Sequence, residues 1–177
     1  MTEIIAQIIG IIAVVFAILS FQAKTDRYLL IMQTGAAFLF CIHYGMLGAY
    51  TGMAMNSVSV VRNIVYYNKD KKIFSGWLPP VFFASVMALF GIFTWQGWHS
   101  LLVIVGLIVN SIGMSLRSPQ NIRKSVLISC PLVLVYNVFE LSIGGIINES
   151  FSIVSAVVGI LRDKRMHKGS SCGIINS

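Results

Sequence analysis

Two asparagines, Asn56 and Asn148, each stand near the head of an apolar segment. A carboxamide has donors and an acceptor to satisfy, so in apolar surroundings it must find partners or cost free energy. Two such amides facing each other could grip a polar solute; the alternative is helix capping or an interhelical hydrogen bond. Asn63, Asn110 and Asn137 lie within other apolar segments and could add secondary polar contacts. Arg62 precedes Lys69 by seven residues, which puts it about 10 Å deeper at helical rise. A centred arginine costs about 2.5–3.5 kcal/mol on insertion scales, so Arg62 is expected to snorkel or to guard an inner mouth, with a buried ligand for a substrate carboxylate as the third reading.

Glu149 falls in the first turn of its segment, where the helix dipole favours a carboxylate. Coupling to a proton or cation is the functional alternative to that capping role. Pro119 and Gln120 stand at a segment boundary, where proline frees backbone groups: a hinge, or simple helix termination. His43 reads as a hydrogen-bonded packing residue, since no second histidine lies at ligand spacing, and no metal site is expected. No nucleotide-binding glycine loop, nucleophile elbow or zinc-protease motif is present. Neither an enzyme nor a cofactor is expected.

These residues are set in seven apolar runs, at 4–21, 28–47, 52–67, 78–95, 101–116, 125–143 and 146–161. A membrane span needs about 20 residues, with about 17 as the lower limit. The third, fifth and seventh runs therefore recruit flanking polar residues. Pro79 and Pro80 suit the first turn of the fourth. Only 11% of the 177 residues are charged and 56% are hydrophobic, against roughly a quarter charged in soluble domains. Mean hydropathy is +0.83. The first 22 residues lack a basic n-region and read as a retained first span.

The net charge of +7 sits in short clusters between the runs, which argues against nucleic acid as a partner and for a lipid bilayer. Lys24 and Arg27, then Lys69, Lys71 and Lys72, then Arg117, Arg123 and Lys124, then Arg162, Lys164, Arg165 and Lys168 occupy alternate connections. The others, 48–51, 96–100 and 144–145, have no Lys or Arg. The positive-inside rule then predicts an outside N-terminus and a cytoplasmic C-terminus. Cys41, Cys130 and Cys172 form no disulfide or zinc framework.

The stretch 42–72 is echoed by 136–165. Laying Asn56 over Asn148 also lays Gly52 over Gly144, Tyr44 over Tyr136 and Asn63 over Ser155. The expected fold is an all-α membrane protein of seven transmembrane helices. Two parallel three-helix repeats, 1–72 and 100–168, are joined by a linker helix at 77–98, and a flexible tail follows at 169–177. Small and weakly polar residues form stripes: Gly52, Asn56, Ser59 and Asn63; Asn148, Ser152, Ser155 and Gly159; Gly106, Asn110 and Gly113; Gln7, Gly10 and Ala17. Such stripes let membrane helices approach closely, and further in they could line a pathway.

The motifs QIIGIIAVVFAILSFQ, HYGMLGAYTG, Arg62-Asn63 and SIGGIINES resemble the YgjV-type bacterial inner-membrane proteins, over nearly the whole chain. In plan the chain is similar to the SWEET/PQ-loop superfamily, with its sugar and PnuC-type vitamin transporters. The three-one-three layout, Pro119-Gln120 followed by Arg-Lys-Ser, and the paired Asn56 and Asn148 carry that likeness. It implies that asparagines of the third and seventh helices line a solute pocket and that a proline–glutamine bend acts as a hinge. The first repeat has Phe21-Gln22 where a Pro-Gln pair would stand, and no paired tryptophans lie at mid-span, so sugar is not implied.

The expectation is an inner-membrane carrier of a small polar solute, with Asn56 and Asn148 gripping it. The alternative is a non-transporting ligand sensor or partner subunit. The sequence leaves open the solute, ion coupling and whether the chain forms a homo-oligomer.

Overall fold

The computed structural model describes residues 2–21, 26–68, 77–115 and 119–173, with side chains described for 2–20, 27–68, 77–115 and 120–161. Seven helices follow in order: α1 (Thr2–Phe21), α2 (Asp26–Leu47), α3 (Tyr50–Tyr67), α4 (Leu78–Phe93), α5 (Trp98–Ser115), α6 (Pro119–Phe139) and α7 (Ile143–Gly173). No strand occurs among the described residues. Apolar segments in a bilayer must satisfy every backbone group internally, and a helix does this within one segment.

The breaks fall where the chemistry ends a helix. Gly48, at φ +76°, closes α2 in the left-handed region open to glycine. Leu141, at φ +52°, makes the corresponding turn between α6 and α7, a conformation that costs a side-chain-bearing residue about 1–2 kcal/mol. Pro79 and Pro80 stand in the first turn of α4. Pro131 lies inside α6, which continues through it as one helix. α7 runs on to Gly173, past the expected end of the second repeat.

Among the described residues, five helices are long and apolar enough to cross a membrane: α1, α2, α5, α6 and α7. α4 is apolar but has only 16 residues. α3 has 18 residues and carries Asn56, Arg62 and Asn63. Four of its polar side chains are taken inward: Thr51, Ser59, Arg62 and Asn63 are buried. The exterior is apolar instead, with Ile4, Ile8, Val15, Phe82, Phe93 and Val158 exposed. This is the surface lipid requires, with polar groups turned toward protein.

Neighbours around the bundle run α1, α2, α3, α5, α6, α7 and back to α1, with α4 lying against α3 and α5. The core holds Met55, Met87, Val103, Tyr44 and Tyr136. Gly144 lets α7 reach the backbone of α1 at Gly10, where any Cβ would collide. Lys24, the Lys69–Lys72 cluster and Arg117, which set the expected orientation, lie outside the described residues, as do residues 174–177.

Candidate functional site

The α2–α3 and α6–α7 turns lie at the same end of the bundle, and a network of buried polar groups joins them. His43 sits one turn before the end of α2, and Gly10 of α1 leaves the space its ring fills. Its Nδ1 lies 2.7 Å from the Ala6 carbonyl, and its Nε2 lies 2.7 Å from the Ser142 hydroxyl. A carbonyl can only accept, so Nδ1 carries the proton in the neutral ring and Nε2 accepts from Ser142. The Ser142 oxygen in turn accepts the Gly145 N–H at 3.1 Å. One imidazole thus ties α1, α2 and the start of α7 together.

Tyr44, one residue on, donates to Asn137 Oδ1 of α6 at 2.5 Å. The Tyr136 hydroxyl accepts the backbone N–H of Gly52, in the first turn of α3, at 2.9 Å. The two tyrosine rings lie 6.2 Å apart. They meet there because Gly52 has no side chain: a Cβ would stand 2.8 Å from the Tyr136 hydroxyl and 3.0 Å from the Tyr44 ring. Asn137 occupies the room that Gly145 leaves, and its Nδ2 is buried with no hydrogen-bond partner among the described residues. His99 of α5 stacks on Tyr136 and Phe139 and reaches Glu140 at 3.2 Å.

Each turn is also clipped by a glutamine from the other half of the chain. Gln7 of α1 donates to the Leu141 carbonyl at 2.8 Å and accepts the Ile143 N–H at 3.1 Å. Gln96, just before α5, donates to the Gly48 carbonyl at 2.8 Å and accepts the Thr51 N–H at 3.2 Å. In both clips one amide bridges the last carbonyl of the turn and an orphan N–H at the new helix's start. Thr51 adds bonds to the Thr94 carbonyl and the Ser100 hydroxyl.

The asparagines singled out in the sequence are distributed around this network. Asn137 belongs to it. Asn56 lies one turn beyond Gly52, half-buried, with Nδ2 folded back on the Gly52 carbonyl at 2.9 Å. Asn148 is half-buried one turn beyond Gly144 and donates to Glu149 at 3.0 Å. No hydrogen bond joins Asn56 to Asn148 among the described residues. Glu149 also meets the Cys130 thiol of α6. Asn63 is buried and holds Arg62, whose guanidinium turns back onto it instead of reaching solvent. Asn110 is half-buried in α5. Pro119 opens α6, with Gln120 after it.

Sequence reasoning missed the joints themselves. His43 was legible as a packing residue, but Ser142, 99 positions away, carries no signal of pairing with it. Gln7 stood out on a stripe of α1, whereas Gln96 looked like any loop residue. Two surface hollows, one near Gly113 and Lys124 and one near Thr34 and Tyr67, are lined by neither Asn56 nor Asn148.

No curated protein and no solved structure matches the chain. The model of the Imp-YgjV family, described as bacterial inner membrane protein, matches residues 4–167, and the chain belongs to that family. Together with its apolar helices, this makes it a multi-pass protein of the bacterial inner membrane.

Proposed function

We propose that this bacterial inner membrane protein is a carrier of a small polar solute. It would work by alternating access between a first trio of helices, α1–α3, and a second, α5–α7, with α4 as the link. The order of neighbours supports the two-trio reading. Exchanging the trios turns the α1–α7 contact into the α5–α3 contact, and both are present. The glutamine clips support it again, because each trio's turn is held by the other's first helix or the residues before it.

One observation carries the reading: the hydrogen bonds between the trios gather at one end. Gln7, His43, Tyr44, Gly52 and Thr51 on one side meet Leu141, Ser142, Asn137, Tyr136 and Ser100 on the other. Such a network would serve as a closed gate, with its groups fitted against glycines at Gly10, Gly52 and Gly145. By the charge distribution of the loops this end faces outward. Asn56 and Asn148 come one turn deeper, at matched places on α3 and α7, and would grip the solute once it enters. Asn63, Asn110 and Asn137 would add polar contacts. Arg62 lies toward the inner mouth, Pro119 and Gln120 would bend as α6 swings, and Glu149 is the residue for coupling.

The test is purified protein screened for thermal stabilisation by a panel of polar metabolites, followed by uptake into proteoliposomes. A ligand at 100 times its dissociation constant stabilises by about 2.7 kcal/mol. Replacing Asn56 and Asn148 together by alanine should remove stabilisation and uptake while leaving insertion intact. Unchanged uptake would refute the pocket. A second reading, a sensor or partner subunit, draws on the Asn56 Nδ2 already donating to the Gly52 carbonyl of its own helix. That protein would bind a ligand and show no flux.

A further inference from the structure

Arg62, Tyr66 and Ser111 form a second buried polar cluster, on facing helices α3 and α5, that takes no part in the gate. Arg62 is 3% exposed, Tyr66 8% and Ser111 0%. Arg62 lies ten residues beyond Gly52, about 15 Å further along α3. Its Nε and Nη2 both donate to Asn63 Oδ1, at 3.2 and 3.1 Å, which fixes the guanidinium plane. Among the described residues Nη1 has no hydrogen-bond partner, and no bond of good geometry reaches the Tyr66 or the Ser111 hydroxyl. The Tyr66 hydroxyl lies close to both others: it feels the Arg62 charge and lies within reach of the Ser111 hydroxyl. Phe83 of α4 packs edge-on against the Tyr66 ring. No carboxylate neighbours Arg62 among the described residues.

The three groups are richer in donors than in acceptors: a guanidinium can only donate, and each hydroxyl has a proton to give besides the lone pairs by which it can accept. Buried donors without acceptors are costly, and native structures explain each one. What completes this set is a small group rich in acceptors and carrying one negative charge. A carboxylate offers about four lone-pair sites on two oxygens. A phosphate dianion would leave an unbalanced charge beside a single arginine in a dry seam.

We propose that Arg62 Nη1, the Tyr66 hydroxyl and the Ser111 hydroxyl recognise a carboxylate, so that the transported solute is a small organic monoanion. Asn63 is the positioning residue for the guanidinium. This assignment rests on the carrier reading for the anion's route, since α3 and α5 must part to admit it.

The test uses the full-length protein in detergent, with acetate and benzoate as probes and acetamide, benzamide, chloride and phosphate as controls at matched ionic strength. Acetate or benzoate should raise the unfolding temperature, and the amides and inorganic anions should not. Arg62→Gln should abolish the shift, and Tyr66→Phe and Ser111→Ala should each weaken the dissociation constant about tenfold. Equal shifts with chloride or phosphate, no shift with either carboxylate, or a shift that survives Arg62→Gln would each overturn the proposal. Where Arg62→Gln does not fold, unchanged affinity in both Tyr66→Phe and Ser111→Ala overturns it. Proteoliposomes separate the two readings. Carboxylate binding without flux refutes the carrier and keeps the site; flux of a neutral solute that Arg62→Gln leaves intact refutes the site and keeps the carrier.

Discussion

The Tyr136 hydroxyl caps the first turn of α3 by accepting the Gly52 N–H at 2.9 Å, a bond between residues 84 positions apart. It exists because Gly52 leaves its Cβ position empty. Tyr136→Phe would strand a buried N–H and should cost about 1–3 kcal/mol of stability. Gly52→Ala should cost a similar amount by forcing the phenol away. Because both break one contact, the double variant should lose less than the sum of the singles. Thermal or denaturant unfolding in detergent would read this, and strict additivity would show the two residues to be independent.

Gly10 and His43 make a second matched pair. A Cβ on Gly10 would stand 2.9 Å from the imidazole, so Gly10→Ala should destabilise by about 1–3 kcal/mol through overpacking. His43→Ala removes the bonds to Ala6 and Ser142 and should cost at least as much. In the His43→Ala background Gly10→Ala should become harmless, since the ring it strikes is gone. A penalty that persists there would place the clash elsewhere.

The glutamine clips are local, and their loss should be local. Gln7→Ala frees the Ile143 amide and Gln96→Ala the Thr51 amide. Hydrogen exchange should quicken at the start of α7 in the first variant and at the start of α3 in the second. Each change should cost about 0.5–1.5 kcal/mol. Combining them should loosen the gate and raise uptake of any solute for which outward opening is limiting. Exchange that quickens equally at both turns in either single variant would mean one cooperative unit.

The two left-handed turn residues predict opposite outcomes. Leu141 holds φ +52° with its side chain largely exposed, so Leu141→Gly should raise stability by about 1 kcal/mol. Gly48 holds φ +76° with open space around its Cβ position, so Gly48→Ala should lower stability by backbone strain alone, about 1 kcal/mol. A melting curve for each variant settles the sign. Destabilisation by Leu141→Gly would mean that the leucine's contacts outweigh its backbone conformation.

Much of the helix plan is legible in the sequence because hydropathy and breakers act over short distances. The runs at 28–47 and 78–95 fall within two or three residues of α2 and α4, since Gly48 and Pro79 mark the boundaries directly. The echo that laid Tyr44 over Tyr136 marked two residues whose rings do meet. The same echo marked Asn56 and Asn148, which bond to Gly52 and Glu149 of their own helices and not to each other. Periodicity reveals which face of a helix is special, but partners depend on how faces rotate when helices pack. The Ser142–His43 and Gln96–Thr51 bonds follow from that rotation. The burial of Arg62 follows from Asn63 accepting two of its donors, which competes with snorkelling and which residue spacing alone does not weigh.

The position of α4 against α3 and α5 has a consequence for symmetry. Two identical three-helix chains meeting as a pair must carry every charge twice. A single chain passing through α4 is free of that rule. On the alignment that lays Asn56 over Asn148, the place of Arg62 is taken by Val154. On the two-trio reading, one guanidinium would then enter the bilayer where a homodimer would bury two, sparing about 2.5–3.5 kcal/mol on insertion scales. Covalent linkage would let such halves diverge: the tyrosine recurs at Tyr44 and Tyr136, and the charge of Arg62 does not recur at Val154.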